Sequence, residues 1–149
     1  MFGAVMTTAM RLSPREQGDM GELSAMTWLA EQGAKIYIPF GHSPDVDLIA
    51  DFGDRLVRVQ VKTCTYFAQE RWRVTLATRG GNQSWSGLVK RLDSTRYDAL
   101  FVLVGDGRRW YIPAAEVEGG AGLSLGGPKY AAFEVDRGAP IARPLGGPR

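Results

Sequence analysis

Asp47-Leu48-Ile49-Ala50-Asp51-Phe52-Gly53-Asp54-Arg55-Leu56-Val57-Arg58-Val59-Gln60-Val61-Lys62 is the stretch that decides how this chain folds. Two runs rich in Leu, Ile and Val flank a short polar link, and Gly53-Asp54 is a two-residue hairpin signal. With those two residues as the turn, Ala50 faces Val57, Leu48 faces Val59 and Asp47 faces Gln60. Strand side chains alternate between faces, so Leu48, Ala50, Val57, Val59 and Val61 share an apolar side. Asp47, Arg58, Gln60 and Lys62 share the other. One face is built for a core, and the opposite face gathers a carboxylate, an amide, an ammonium and a guanidinium.

Working upstream, Lys35-Ile36-Tyr37-Ile38-Pro39 reads as a first strand, closed by the loop Phe40-Gly41-His42-Ser43-Pro44. Before it, Ser13-Pro14-Arg15-Glu16 offers a capping serine, a proline in the first turn and a glutamate at the third helical position. The helix is expected from Pro14 to about Gln32, stopped by Gly33. Leu23, Met26, Leu29 and Ala30 recur at helical spacing and are read as the packed face, with Glu22 beside it. A carboxylate there needs a partner, because an unpaired buried charge is expensive.

Downstream, Trp72-Arg73-Val74-Thr75-Leu76-Ala77 is read as a fourth strand and Arg79 to Ser84 as an exposed loop. Asp98 to Val104 and Arg108 to Ile112 flank Gly105-Asp106-Gly107 as a second hairpin, and Pro113 starts a short helix. Beyond Gly119 the chain is rich in Gly and Pro, with one strand candidate from Tyr130 to Val135. The expected division is a flexible extension over 1–12, a domain over 13–118 and a partly disordered segment over 119–149.

The 149 residues, 44% of them apolar, suffice for one core. No apolar run approaches the roughly 20 residues of a membrane span, and the first ten residues lack a basic, then apolar, secretion signal. The expectation is therefore a cytoplasmic protein with no membrane partner. Cys64 is the single cysteine, so neither an intramolecular disulfide nor a multi-cysteine zinc site can form; a small buried residue is expected. Charge is segregated. Residues 1–54 carry three basic side chains against eight acidic ones, whereas residues 55–110 carry eleven against four. An Arg-rich segment suits phosphate oxygens, although a solvated basic surface has the same composition.

Glu22 in a helix, Asp47 opening a strand and Gln60-Val61-Lys62 ending the next resemble the PD-(D/E)XK nuclease superfamily over residues 14–63. Within it the chain is most similar to the group I intron-associated homing endonucleases, in which glutamine replaces the usual acid of the triplet. Tyr97 to Val102 and Trp110-Tyr111-Ile112-Pro113 resemble that branch's later strands, while Gly18-Asp19-Met20-Gly21-Glu22 is similar to the helix motif of archaeal Holliday-junction resolvases. The resemblance implies an α/β fold, a restriction-endonuclease-like core with a central mixed sheet flanked by helices. It also implies metal-dependent hydrolysis of DNA.

The residues suit that chemistry. Phosphodiester hydrolysis needs a cation at the scissile phosphate and a group that positions water. Mg²⁺, for which Mn²⁺ can substitute, takes oxygen ligands and needs only one or two carboxylates. The expected metal set is Asp47, the Gln60 side-chain carbonyl, the Val61 backbone carbonyl by family resemblance, and Glu22 through water. Lys62 would hold the attacking water or stabilise developing charge. A neutral Gln60 weakens cation binding and disfavours a second ion. Asp45 competes with Asp47, since Pro44-Asp45 spells the literal motif on the same strand parity; Asp47 is preferred because it lies opposite Gln60. Arg71, Arg73, Arg79, Lys90, Arg91 and Arg96 are the candidate phosphate contacts, with Gly80-Gly81-Asn82-Gln83 reading base edges. His42 and the indoles of Trp72 and Trp85 are read as a loop residue and packing residues. Cutting both strands would require a homodimer or higher assembly. The rival readings are a structure-selective nuclease such as a junction resolvase and a non-cleaving nucleic-acid-binding module of the same fold.

Overall fold

A computed structural model describes residues 12–79, 89–90, 92–118 and 120–141. One α-helix, α1 (Pro14–Glu31), precedes the strands. Its start is the expected capping box: the Ser13 side chain accepts from the Glu16 N–H at 3.2 Å, and the Ser13 N–H donates to the Glu16 carboxylate at 2.8 Å. The strands follow as β1 (Lys35–Tyr37), β2 (Leu48–Asp51), β3 (Leu56–Cys64), β4 (Phe67–Ala68), β5 (Arg71–Thr75), β6 (Thr78–Arg79), β7 (Val89–Lys90), β8 (Ala99–Val104), β9 (Arg109–Pro113), β10 (Gly122–Leu125) and β11 (Glu134–Val135). Six form one mixed sheet in the order β1-β2-β3-β8-β9-β11, with β3 and β8 parallel and the other pairs antiparallel.

The β2–β3 hairpin has the register expected from its turn, pairing Leu48 with Val59 and Ala50 with Val57. Gly53 takes φ +93° there, a backbone region that side chains disfavour, and its N–H donates to Asp51 Oδ1 at 2.8 Å. The second hairpin, β8–β9, also falls where expected. The mixed sheet is as anticipated, with a helix packed on it. Among the described residues α1 covers one face, and a smaller sheet of order β10-β5-β4 covers the other. The expected short helix after Pro113 is a single 3-10 turn, Ala114–Glu116.

Two cores result. Leu48, Ala50, Val57, Val59, Val61, Phe101 and Leu103 pack under Ala25 and Leu29 of α1. Cys64, Leu100, Val102, Val104, Trp110 and Ile112 pack against Trp72, Val74, Leu123 and Leu125 of the small sheet. Trp72 and Cys64 are buried as read; the Cys64 thiol donates to the Arg73 carbonyl at 3.0 Å. The packed face of α1 is a correction: Gly21, Ala25 and Leu29 are buried, whereas Leu23 is 57% exposed and Ala30 is exposed. A Gly-Ala-Leu row carries the packed face, and its small members bring the helix close to the sheet.

The Gly/Pro-rich stretch carries structure as far as Ile141. β10 pairs with β5, β11 pairs with β9, and Leu125, Tyr130 and Ile141 are buried. Chain beyond the expected boundary at residue 118 thus completes both cores. No helix among the described residues is long and apolar enough to cross a membrane.

Candidate active site

The site forms where β3 runs on past the first residue of β2. β2 begins at Leu48, opposite Val59, so past that point one edge of β3 has lost its partner strand. Asp47 takes over. Its N–H donates to the Val59 carbonyl at 2.8 Å, and its Oδ2 accepts the Val61 N–H at 2.7 Å and Gln60 Nε2 at 3.0 Å. The carboxylate therefore lies at the sheet edge, occupying the position where a strand carbonyl would have continued the ladder. The Asp98 N–H donates to the Arg58 carbonyl, which turns the even-numbered carbonyls of β3 toward β8. By alternation the Val61 carbonyl turns the other way, to the edge that Asp47 guards.

Gln60 is 5% exposed. Its amide orientation is fixed by Asp47, because the flipped form would set an oxygen against the carboxylate. Gln60 Oε1 is left buried and, among the described residues, without a hydrogen-bond partner. A buried carbonyl with no donor is costly in a native fold, and a cation satisfies it as well as an N–H does.

Lys62 stands two residues on, on the same face of β3 as Gln60. Burial pulls its ammonium below the ordinary lysine range, with Asp47 and Asp45 pulling it partly back. Asp47 is raised above the ordinary aspartate value by burial, opposed by the Val61 N–H and by Lys62. Glu22 is raised by burial, then by Asp47 and Asp19. Glu22 and Lys62 both sense the Asp47 charge. The four residues singled out from the sequence thus share one edge of β3.

Asp45, the rival carboxylate, is 5% exposed and pairs with Arg96 Nε at 2.6 Å. That partnership could not be read from spacing, since Arg96 arrives from the loop before β8. Arg58, read only as part of the polar face, is held by Asp98. Among the expected phosphate contacts, Arg73 is committed to its own chain: Nε to the Ala68 carbonyl, Nη1 to Ser124 Oγ and Nη2 to Gln69 Oε1. Arg71 donates Nη1 to the Glu70 carbonyl at 2.9 Å. The side chains of Arg79 and Lys90, all of Arg91, the Gly80 to Gln83 loop and Trp85 lie outside the described residues. His42 is an exposed loop residue.

Among the described residues no three His, Cys, Asp or Glu side chains converge as a metal cage. The donors at the β3 edge are instead two carboxylates, an amide oxygen and a backbone carbonyl, an all-oxygen set that suits a hard cation. The model for the PD-(D/E)XK endonuclease family matches residues 12–124. The chain belongs to that family. A solved structure of a bacterial homing endonuclease, I-Ssp6803I, matches with a TM-score of 0.62, at 19% identity, over 83% of this chain and 88% of that one. At that identity the likeness is one of fold. No curated protein matches the chain significantly. The match to the family runs into β10, as far as Ser124.

Proposed function

We propose that this endonuclease hydrolyses DNA phosphodiester bonds with a divalent cation, Mg²⁺ or Mn²⁺, held by Asp47, Gln60 Oε1, the Val61 carbonyl and, through water, Glu22. The observation that carries the reading is the buried, donor-less Gln60 Oε1 beside a carboxylate whose own hydrogen bonds fix its position. The cation, when bound, supplies charge neutralisation at the scissile phosphate. The protein supplies the rest. Lys62 Nζ holds the attacking water and faces the charge that develops on phosphorus-bound oxygen. Burial raises the Glu22 carboxylate, which suits it to accept the water's proton as the new P–O bond forms, and the departing oxygen takes its proton from solvent as its own P–O bond breaks.

With a neutral amide in place of the family's acid, one cation is the expected complement. A measured stoichiometry of two on the DNA complex would contradict this. Two strands of one duplex call for two copies of the site, so a homodimer or higher assembly is part of the proposal, to be read by sedimentation with and without DNA. The test of activity is incubation with plasmid, linear and branched DNA in Mg²⁺ and again in EDTA. Cleavage of plasmid or linear duplex in Mg²⁺ alone supports the reading. Cleavage confined to branched DNA selects a structure-selective nuclease, and binding without cleavage in either metal selects a non-cleaving module.

A further inference from the structure

The polar face of β3 continues beyond Gln60. Arg58 lies two residues upstream on that face, one strand step of roughly 6.8 Å away. Its guanidinium is fixed along one side: Nε and Nη2 donate to the two oxygens of Asp98 at 3.0 Å each, and Nη2 also reaches the Thr95 carbonyl at 3.3 Å. Nη1 makes no hydrogen bond among the described residues. Arg96, beside Thr95, is fixed through Nε by the buried Asp45, while its side chain stays 60% exposed. Both arginines open onto one cavity of about 390 Å³ that Ser43, Asp45 and Thr95 also line.

A guanidinium clamped by a carboxylate on one side and open on the other is preorganised to donate to a phosphate oxygen. Here two such groups share a cavity with the buried carboxylate of Asp45. The paired aspartates cancel most of the long-range field, so the pocket rewards close contact instead of steering. We infer that the Arg58–Arg96 pocket receives the backbone phosphate next to the scissile one on the same DNA strand, which therefore runs along the polar face of β3. This rests on the nuclease reading, and it adds a direction for the bound strand and a role for Arg58.

The test is the salt dependence of duplex binding in Ca²⁺, which suppresses turnover, for wild type, Arg58→Gln and Arg96→Lys, with circular dichroism and melting temperature confirming the fold. The Arg96→Lys variant keeps a cation for the buried Asp45. One lost phosphate contact flattens the slope of log affinity against log salt by about one in Arg58→Gln, so that its loss of affinity between 50 and 200 mM salt is about threefold smaller. A neutral methylphosphonate placed next to the mapped cleavage position should then weaken wild type and leave Arg58→Gln unchanged. Equal slopes in a folded variant overturn the pocket while leaving the nuclease intact, and sensitivity at a different phosphate overturns the strand direction. Failure of wild type to bind duplex at all overturns the nuclease reading itself.

Discussion

Replacing Gln60 by glutamate sets two carboxylates against each other, since Nε2 now donates to Asp47 Oδ2 at 3.0 Å. The metal-free Gln60→Glu protein should lose about 1–3 kcal/mol, while Mg²⁺ should raise its melting temperature more than that of wild type; calorimetry with and without the ion reads both. Lys62→Met removes a desolvated ammonium, so the fold should survive while cleavage falls about 10²–10⁴-fold, measured on plasmid under saturating Mg²⁺. Glu22 gives the sign of the pH dependence. Its folded-state pKa is raised, so the native state holds that proton more firmly than the unfolded chain does. Stability from this group is greatest below the unfolded value near 4 and is lost as pH rises through the folded one. Metal-free Glu22→Gln should therefore melt no lower than wild type at neutral pH, with a flatter acid limb, and should lose most of the shift that Mg²⁺ confers. A large drop in its metal-free melting temperature would contradict the electrostatic account. The gathering of Glu22, Gln60 and Lys62 around Asp47 was legible from the sequence because motif order and strand parity are local. The Asp47 bonds to Val61 and Gln60 were not, because they depend on β2 starting only at Leu48, which leaves Asp47 outside the ladder.

At the scale of elements, the approach of α1 to β3 rests on Gly21. A Cβ there would lie 2.2 Å from Thr63 Cγ2 and 3.3 Å from Val61 Cγ1, the two residues that flank Lys62. Glycine in a helix interior ordinarily costs about 0.5–1 kcal/mol relative to alanine, so an exposed site would gain from the change. Here Gly21→Ala forces the helix off the strand and carries Glu22 with it, an overpacking cost of about 1–3 kcal/mol with lower cleavage. Thr63→Ser deletes the offending methyl. The double variant should recover melting temperature and activity together, and recovery of stability without activity would show that Gly21 does not position Glu22. Apolar periodicity could not reveal this contact, because a glycine and an alanine contribute little to an apolar stripe. The hairpin was legible for the opposite reason: its register follows from a turn only two residues long.

At the scale of the molecule, the sheet was foreseeable near the two hairpins and opaque where long-range pairing decides. β10 meets β5 across forty-odd residues, Gly122 opposite Thr75, and no local signal announces that. The Gly/Pro composition after residue 118 looked like a tail, yet Leu123, Leu125, Tyr130 and Ile141 are all at least nine-tenths buried. Each such side chain is worth about 1.5–3 kcal/mol, so together they rival a typical net stability of about 5–15 kcal/mol. A chain truncated after residue 118 should accordingly fail to melt cooperatively by circular dichroism; a sharp transition would restore the shorter domain. Nicking of supercoiled plasmid in Mg²⁺ by Asp47→Ala beside wild type tests the edge of β3 as the active site most directly. Loss of at least about 10²-fold in a folded variant is predicted, and cleavage that persists at the wild-type rate would contradict the site.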